Sequence, residues 1–521
     1  MDKLVSLTCG SWKRFGKISL KGYLLESPCD ISKLAEAGFS EAAFVDWLKR
    51  ANGCFAMVYQ DSDILFAAVD RIRSYPLFFT NLHSLADCSE NLDPLRIEHL
   101  HTTQKNISSE FLICGFVSGK DTLHPDIFQI PAGHYLLMQK GQAPQLRRYY
   151  RYQHEEIAGL AEHELCSRLH EVHLGVAQRL IAHLDGRPAV IPLSGGWDSR
   201  LIAYLLKQAG YPAIYTFSYE AKNNPESRIS QRVAKHLELP WFFIEHTHNS
   251  WYRAYFSAER KQHYKYAINA VSSAHIQDWL AVKELKRQQL VPPNSVFVPG
   301  HTGDFLQSGH LPPGYHHQKN FTQDELVNQI IARHYRLWSK PSMADIRAFS
   351  QRILSSMDTP QMMPACEAAS YFEYWELQER QAKFIVNSVR VYEDLAYSWA
   401  LPLWDSQLMD FWAKVPLKLR LDRKLWHTYQ ALYLPIPVPV FKNLSISTRL
   451  RNKLLRIAFG EITDTRYGRF APYLNFRQYS AQKVKSYLRE DFEYPGFIDP
   501  ERPLIRCDMN ALQALRAIYE L

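Results

Sequence analysis

The stretch Ala189–Gly210 constrains this chain more than any other. AVIPL is an apolar run of strand length, SGGWDS is a tight turn, and SRLIAYLLKQAG carries a helical period that ends at Gly210. A second strand, AIYTFSY, follows. Then come a helix, PESRISQRVAKHLEL, with Pro225 in its first turn, and a third strand, PWFFIEHT. Strands alternating with helices predict a parallel, doubly wound sheet. A lone Ser-Gly-Gly turn before a helix is ordinarily only a turn, but here the strand before and the helix after are both in place. Gly195 and Gly196 let the backbone approach an anion closely. The free N–H groups of the helix start favour phosphate, and Ser194 and Ser199 add hydroxyl donors. Asp198 would repel phosphate, so a bridging Mg²⁺ is the natural reason for it. The loop is not the GxxxxGK[ST] phosphate loop of kinases.

At 521 residues the chain exceeds one ordinary core, so two domains are expected, 1–153 and 154–521. The first reads as an antiparallel, sheet-rich α+β unit. Its strands are Cys54–Gln60, Ile64–Asp70 and Pro76–Thr80, with Asp61-Ser62-Asp63 as a hairpin turn, and the runs FLICGFVSG and HPDIFQIPAGHYLLM follow. Residues 154–185 have helical periodicity, with Leu165, Leu169, Val172 and Val176 on one stripe, and beyond about 320 the chain is mostly helical. Tyr371, Phe372, Tyr374 and Trp375 read as core.

Apolar residues make up 46% and charged residues 22%, which excludes disordered and fibrous classes. No run reaches the roughly 18 apolar residues of a spanning helix, and the first residues lack a signal-peptide core, so a cytoplasmic location is expected. The net charge of +8 suits anionic ligands but is too dilute to indicate nucleic acid. Eight scattered cysteines, none in a CxxC pair, argue against a zinc site or a disulfide framework.

SGGWDS resembles the pyrophosphate loop of the N-type ATP pyrophosphatases. More narrowly, the chain resembles the asparagine synthetase B family and its relatives, the β-lactam synthetases and lasso-peptide cyclases. Gly53-Cys54-Phe55-Ala56 through Val69-Asp70-Arg71 to Pro76-Leu77 is similar to that family's N-terminal hairpin, and Ile130-Pro131-Ala132-Gly133-His134 to its LPPGH segment. Val298–Asp304 sits where the family has SGEGxDE, and Leu401–Asp405 where it has PFLD. The resemblance implies an Ntn-type antiparallel domain followed by an adenine nucleotide α-hydrolase-like domain. It implies ATP and Mg²⁺ as cofactors, with a carboxylate attacking the α-phosphorus and an amine displacing AMP.

By the same resemblance, Ser194, Gly195, Gly196, Asp198 and Ser199 hold the pyrophosphate. Asp198 and Asp304 hold Mg²⁺, although Asp304 could also be a turn or cap aspartate. Leu193 and the strand containing Phe217 and Ser218 border the adenine, and Gly300 and Gly303 of the facing loop also bind the nucleotide. Lys442 is the candidate cation at the adenylate, or an ordinary surface lysine. Glu393 is either a general base or the ion-pair partner of Arg390. His310, His316 and His317 show no recognised metal spacing and read as a flexible loop near the substrate mouth.

Two departures stand out. Glutamine-hydrolysing members use an N-terminal cysteine exposed by removal of Met1, but position 2 is Asp2, and Cys9 lies in a strand-like run. The N-terminal domain is therefore expected to be an inactive glutamine amidotransferase shell. His301-Thr302 replaces the family's Glu-Gly, so His301 is either a base for the amine or a loop histidine bonded to a carbonyl. The resulting reading is an AMP-forming amide ligase acting on a small or carrier-borne carboxylate, such as a sugar acid of a surface polysaccharide. Ammonia or an amine is the acceptor, supplied free or by a partner protein, and a homodimer is compatible with this. The alternatives are an intramolecular amide former of the lasso-cyclase or β-lactam synthetase type, or a non-catalytic scaffold. Arg449–Phe459 is a basic amphipathic segment that reads as a solvated helix with one packed face.

Overall fold

Alternation along the strands builds the N-terminal sheets. In Asn52–Gln60, Phe55, Met57 and Tyr59 face one way and Ala56 and Val58 the other, and both sets are buried. A strand buried on both faces reads as a near-continuous apolar run, as this one does. In the computed structural model the described residues are 5–26, 31, 34, 39–92, 105–157, 159–222, 224–247, 250, 253–254, 257–335 and 341–436. Lys442 and the basic segment 449–459 lie outside them.

The N-terminal strands are β1 (Val5–Ser6), β2 (Trp12–Phe15), β3 (Ile18–Glu26), β4 (Asn52–Gln60), β5 (Ile64–Val69), β6 (Phe78–Thr80), β7 (Leu85–Ala86), β8 (Ile127–Gln129), β9 (His134–Gln139) and β10 (Gln145–Arg148). One sheet has the antiparallel order β10-β9-β5-β4-β3-β2. The other has the order β1-β7-β6-β8, with β1 and β7 parallel. Helix Glu41–Arg50, capped by Ser40 Oγ, buries Phe44, Trp47 and Leu48 on one face of the larger sheet. The opposite face packs Val58, Leu65, Ala67, Leu136 and Met138 against Phe79 and Leu85 of the smaller sheet.

The remaining strands are β11 (Ala189–Pro192), β12 (Ile214–Glu220), β13 (Trp241–Glu245), β14 (Val296–Phe297), β15 (Asn320–Thr322), β16 (Met362–Pro364) and β17 (Ser398–Trp399). Five of them form a wholly parallel sheet in the order β13-β12-β11-β14-β17. The chain winds outward from β11 through β12 to β13, then crosses to β14 on the other side of β11. The topological switch point thus lies between β11 and β14, where open α/β sheets place ligands at the carboxyl ends of the strands. Phe372 and Trp375 are fully buried, as core residues should be.

Several expectations need correcting. The helix expected over 154–185 runs only Glu162–Leu184, because residues ahead of it are extended: Glu155 and Ile157 N–H donate to the Ala413 and Lys414 carbonyls. The helix after SGG begins at Trp197, so Asp198 is inside its first turn. The strand expected from Pro76 begins at Phe78, and FLIC of FLICGFVSG ends the helix Lys105–Cys114. Cys9 sits in a bend between β1 and β2, where Asp87 accepts its backbone N–H at 2.9 Å. Among the described residues no helix is long and apolar enough to cross a membrane.

Buried polar contacts tie the N-terminal sheets to the rest. Asp405, at the LPLWD segment, accepts from Arg179 Nε and Nη2 at 2.7 and 2.9 Å and from Asn52 Nδ2 at 3.0 Å. Lys383 donates to the Val117 and Gly119 carbonyls, each at 2.8 Å, and to Glu379 at 2.5 Å.

Candidate functional site

Two loops meet at the switch point, one leaving β11 and one leaving β14. The first continues the ladder for one residue, with Leu193 N–H donating to the Phe217 carbonyl at 2.8 Å. It then folds on itself. Ser194 N–H donates to Ser199 Oγ at 3.1 Å, the two serine hydroxyls lie 3.3 Å apart, and Gly196 N–H donates to Ser194 Oγ at 3.0 Å. Ser194 and Gly196 are exposed, so the loop opens to solvent. Beneath it, Arg200 Nη2 donates to the Gly195 carbonyl at 2.7 Å, while its Nε and Nη1 are buried without partners.

The second loop packs directly onto the start of the helix. A Cβ at Gly300 would lie 2.7 Å from Ser199 N, and one at Gly303 would lie 2.5 Å from Asp198 Oδ1. Neither glycine has a positive φ, so close approach alone accounts for both. The contact lets Asp304 N–H donate to Asp198 Oδ2 at 3.1 Å. The Asp304 backbone is thereby docked on the Asp198 carboxylate, and the charge of the Asp304 side chain acts on Asp198. Burial, and then the charge of Asp304, push the Asp198 carboxyl up to about 7. Burial opposes ionisation of Asp304, but the hydrogen bond to His310 and the charges of His310 and Arg380 together hold its carboxyl below the usual carboxylate range.

His310 was read as part of a flexible loop, but its Nε2 lies 3.1 Å from Asp304 Oδ2 and its Nδ1 lies 2.5 Å from Glu376 Oε1. Glu376 ends the helix Ala365–Glu376, where the chain passes into a π-helical stretch, Leu377–Ile385. Arg423 is a second residue that sequence reasoning missed. It has φ 55°, its Cδ would lie 3.1 Å from a Cβ at Gly309, and its charge acts on Asp198. Nothing in the local pattern around Glu376 or Arg423 marks them, since both reach the site from far along the chain.

The remaining expected residues differ in what surrounds them. Leu193 and Phe217 are buried, and the Phe217 ring packs edge-on against Phe297. Ser218 is also buried. His301 has Nδ1 3.3 Å from Ser388 Oγ, and burial pushes its pKa down to about 3, which leaves it neutral. Its partner in the loop is thus a hydroxyl rather than a carbonyl. Glu393 accepts from Arg390 Nη1, from Tyr266 Oη at 2.6 Å and from Trp399 Nε1 at 2.8 Å, while Arg390 also donates to the Ser74 carbonyl at 2.5 Å. None of these contacts joins Glu393 to the Asp198 loop, and a base at Glu393 would have to give them up.

The donor set suits a hard divalent cation. Asp198 and Asp304 offer carboxylate oxygens of the kind such a cation takes, and burial beside the charge of Asp304 disfavours the ionised Asp198, which a cation would relieve. Among the described residues no group of three or more His, Cys, Asp or Glu could hold a metal. Mg²⁺ binds in this way, with one or two carboxylates and the rest water or phosphate.

Residues 176–431 match the family model of asparagine synthase. The asparagine synthase match spans both loops, His310, Glu376 and Arg423, and it supports an ATP-using ligase of that kind. No curated protein matches. Among solved structures, an NH3-dependent NAD synthetase from Campylobacter jejuni subsp. jejuni NCTC 11168, in complex with the nitrate ion, is similar at 14% identity. The alignment covers 39% of this chain and 99% of that one at a TM-score of 0.21, a likeness too slight to bear on function.

Proposed function

We propose that this chain is an AMP-forming carbon–nitrogen ligase that joins a carboxylate to AMP and passes the acyl group to ammonia or an amine. The observation that carries the reading is the pairing of Asp198 and Asp304 across the switch point, beside an open Ser194–Ser199 turn that starts a helix. The free N–H groups of that turn and helix start would bind the pyrophosphate, with Ser194 and Ser199 as hydroxyl donors. Arg423, beside Asp198, would add positive charge where negative charge builds on the leaving group. Mg²⁺, held by Asp198 and Asp304, would neutralise phosphate charge when bound. The carboxylate oxygen forms a bond to the α-phosphorus of ATP as the bond to pyrophosphate breaks. The amine nitrogen then bonds the acyl carbon, AMP leaves, and the amine proton passes to solvent or to a base.

In this reading residues 1–153 form an Ntn-type shell without glutaminase activity, and residues 154–521 form the ligase. Burial pushes the Cys54 and Cys114 thiols up, which disfavours a thiolate nucleophile at either. A sugar acid of a surface polysaccharide is the substrate class we favour. The test is Mg²⁺-dependent pyrophosphate release from ATP across a panel of carboxylates, sugar acids included, with Asp198→Ala as control. Acid-dependent release by wild type that is lost in D198A is expected, and no release with any acid refutes the reading. Incubation with glutamine should yield no glutamate; robust turnover would overturn the inactive shell.

A further inference from the structure

We infer that His310, backed by Glu376, is a positioning residue that fixes the Asp304 carboxylate for Mg²⁺. The inference rests on the ligase reading above, because it assigns Asp304 a metal-binding role. Both His310 ring nitrogens face carboxylate oxygens, Nε2 at Asp304 Oδ2 and Nδ1 at Glu376 Oε1. A carboxylate that holds a cation is ionised and only accepts hydrogen bonds, so Nε2–H donates to Asp304 Oδ2 while Nδ1 anchors the ring on Glu376.

The three side chains form a graded series from solvent to core. Asp304 is 45% exposed, His310 13% and Glu376 0%. Glu376 is itself held, with Gln381 Nε2 3.1 Å and Arg380 Nη1 3.4 Å from its Oε1, and His334 Nε2 3.7 Å from its Oε2. A fully buried carboxylate is unfavourable unless its partners use it. This one has its shortest contact, 2.5 Å, on His310. The Phe305 and His310 ring centroids lie 6.2 Å apart, and Phe305 is in turn set against Trp404 and Tyr152. His310 therefore has a fixed floor as well as two fixed ends.

The effect on Asp304 is specific. Oδ2 is occupied by His310, while Oδ1 has no hydrogen-bond partner among the described residues and is left for a cation. Outer partners that orient a metal ligand typically alter metal affinity 10- to 100-fold when removed. The segment around Glu376 also fits such a role, since π-helical turns inside helices recur at functional sites.

The test uses the full chain, Mn²⁺ as the metal probe and α,β-methylene-ATP as the nucleotide. Bound Mn²⁺ is read by electron paramagnetic resonance, so no turnover is needed. Wild type should bind Mn²⁺ together with the nucleotide. His310→Ala should weaken Mn²⁺ about 10-fold or more, and His310→Gln, which keeps one donor, should recover part of that loss. Asp304→Asn should weaken Mn²⁺ by itself, and adding H310A to it should change nothing further. Wild-type Mn²⁺ affinity in H310A overturns the inference, as does an equal H310A effect with and without Asp304. If H310A does not fold, the same cycle with H310Q decides by the same criterion. Failure of wild type to bind Mn²⁺ with the nucleotide overturns the ligase reading itself, and the inference with it.

Discussion

Gly303→Ala tests how tightly the two loops must approach. The added methyl would start 2.5 Å from Asp198 Oδ1 and 2.6 Å from its Cγ. Ordinary contact begins near 3.4 Å, so the loop or the carboxylate must retreat by about 0.9 Å. Gly303 starts the short helix Gly303–Leu306 and has no positive φ, so alanine is tolerated by the backbone, with a propensity gain of up to about 1 kcal/mol. Against this stands the hydrogen bond from Asp304 N–H to a carboxylate, worth about 1.5–3 kcal/mol if it breaks. Net stability should therefore fall by about 0.5–3 kcal/mol. Catalysis should fall as well, since a misplacement of about 1 Å can cost roughly 100-fold. The assay pairs carboxylate-dependent pyrophosphate release with thermal unfolding on the same sample. A folded G303A whose rate stays within about threefold of wild type would refute the argument that loop contact sets the geometry.

Two further variants probe the frame. Asp405→Ala leaves Arg179 buried without its double contact and should cost about 3–5 kcal/mol in urea unfolding; a loss under about 1 kcal/mol would contradict the role assigned to that pair. Asp278 is buried, its pKa is pushed up to about 6, and it accepts from Tyr392 Oη at 2.6 Å. Its unfolded pKa is about 3.9, so the folded state holds the proton longer and stability falls as pH rises from about 4 to 6, by roughly 3 kcal/mol. Asp278→Asn keeps an acceptor for Tyr392 and should remove that fall. The wild-type minus variant stability difference is read at pH 4, 5, 6 and 7, and a difference that stays flat across this range would count against a buried, protonated Asp278.

Legibility followed the range of the interactions. The SGGWDS turn, the strand before it, the helix after it and the hairpin at Asp61–Asp63 are local, and local periodicity and turn chemistry place them. The runs that misled, FLIC and residues 154–161, are apolar or helix-like by composition. Their state is set by what they pack against, as when Glu155 and Ile157 pair with the chain at Ala413 and Lys414. His310 was visible as a histidine near Asp304, but its function was not, because its second partner, Glu376, is 66 residues away. Glu393 had two readings from sequence, a general base or the partner of Arg390; the Arg390 pair is present, while Tyr266, which also binds it, comes from a distant segment.

Sequence by itself determined the parallel α/β core and the glycine turn that opens a helix, because hydrogen bonding and side-chain period act over a few residues. Tertiary structure alone decided which carboxylates meet. Asp198 and Asp304 are 106 residues apart, and only the crossover from β13 to β14 sets their loops side by side. The same folding sank Phe217 into the core and drew Glu376 up behind His310. Charge and burial act through space, so the groups that tune a site are chosen by the packing of distant segments rather than by their neighbours in the chain.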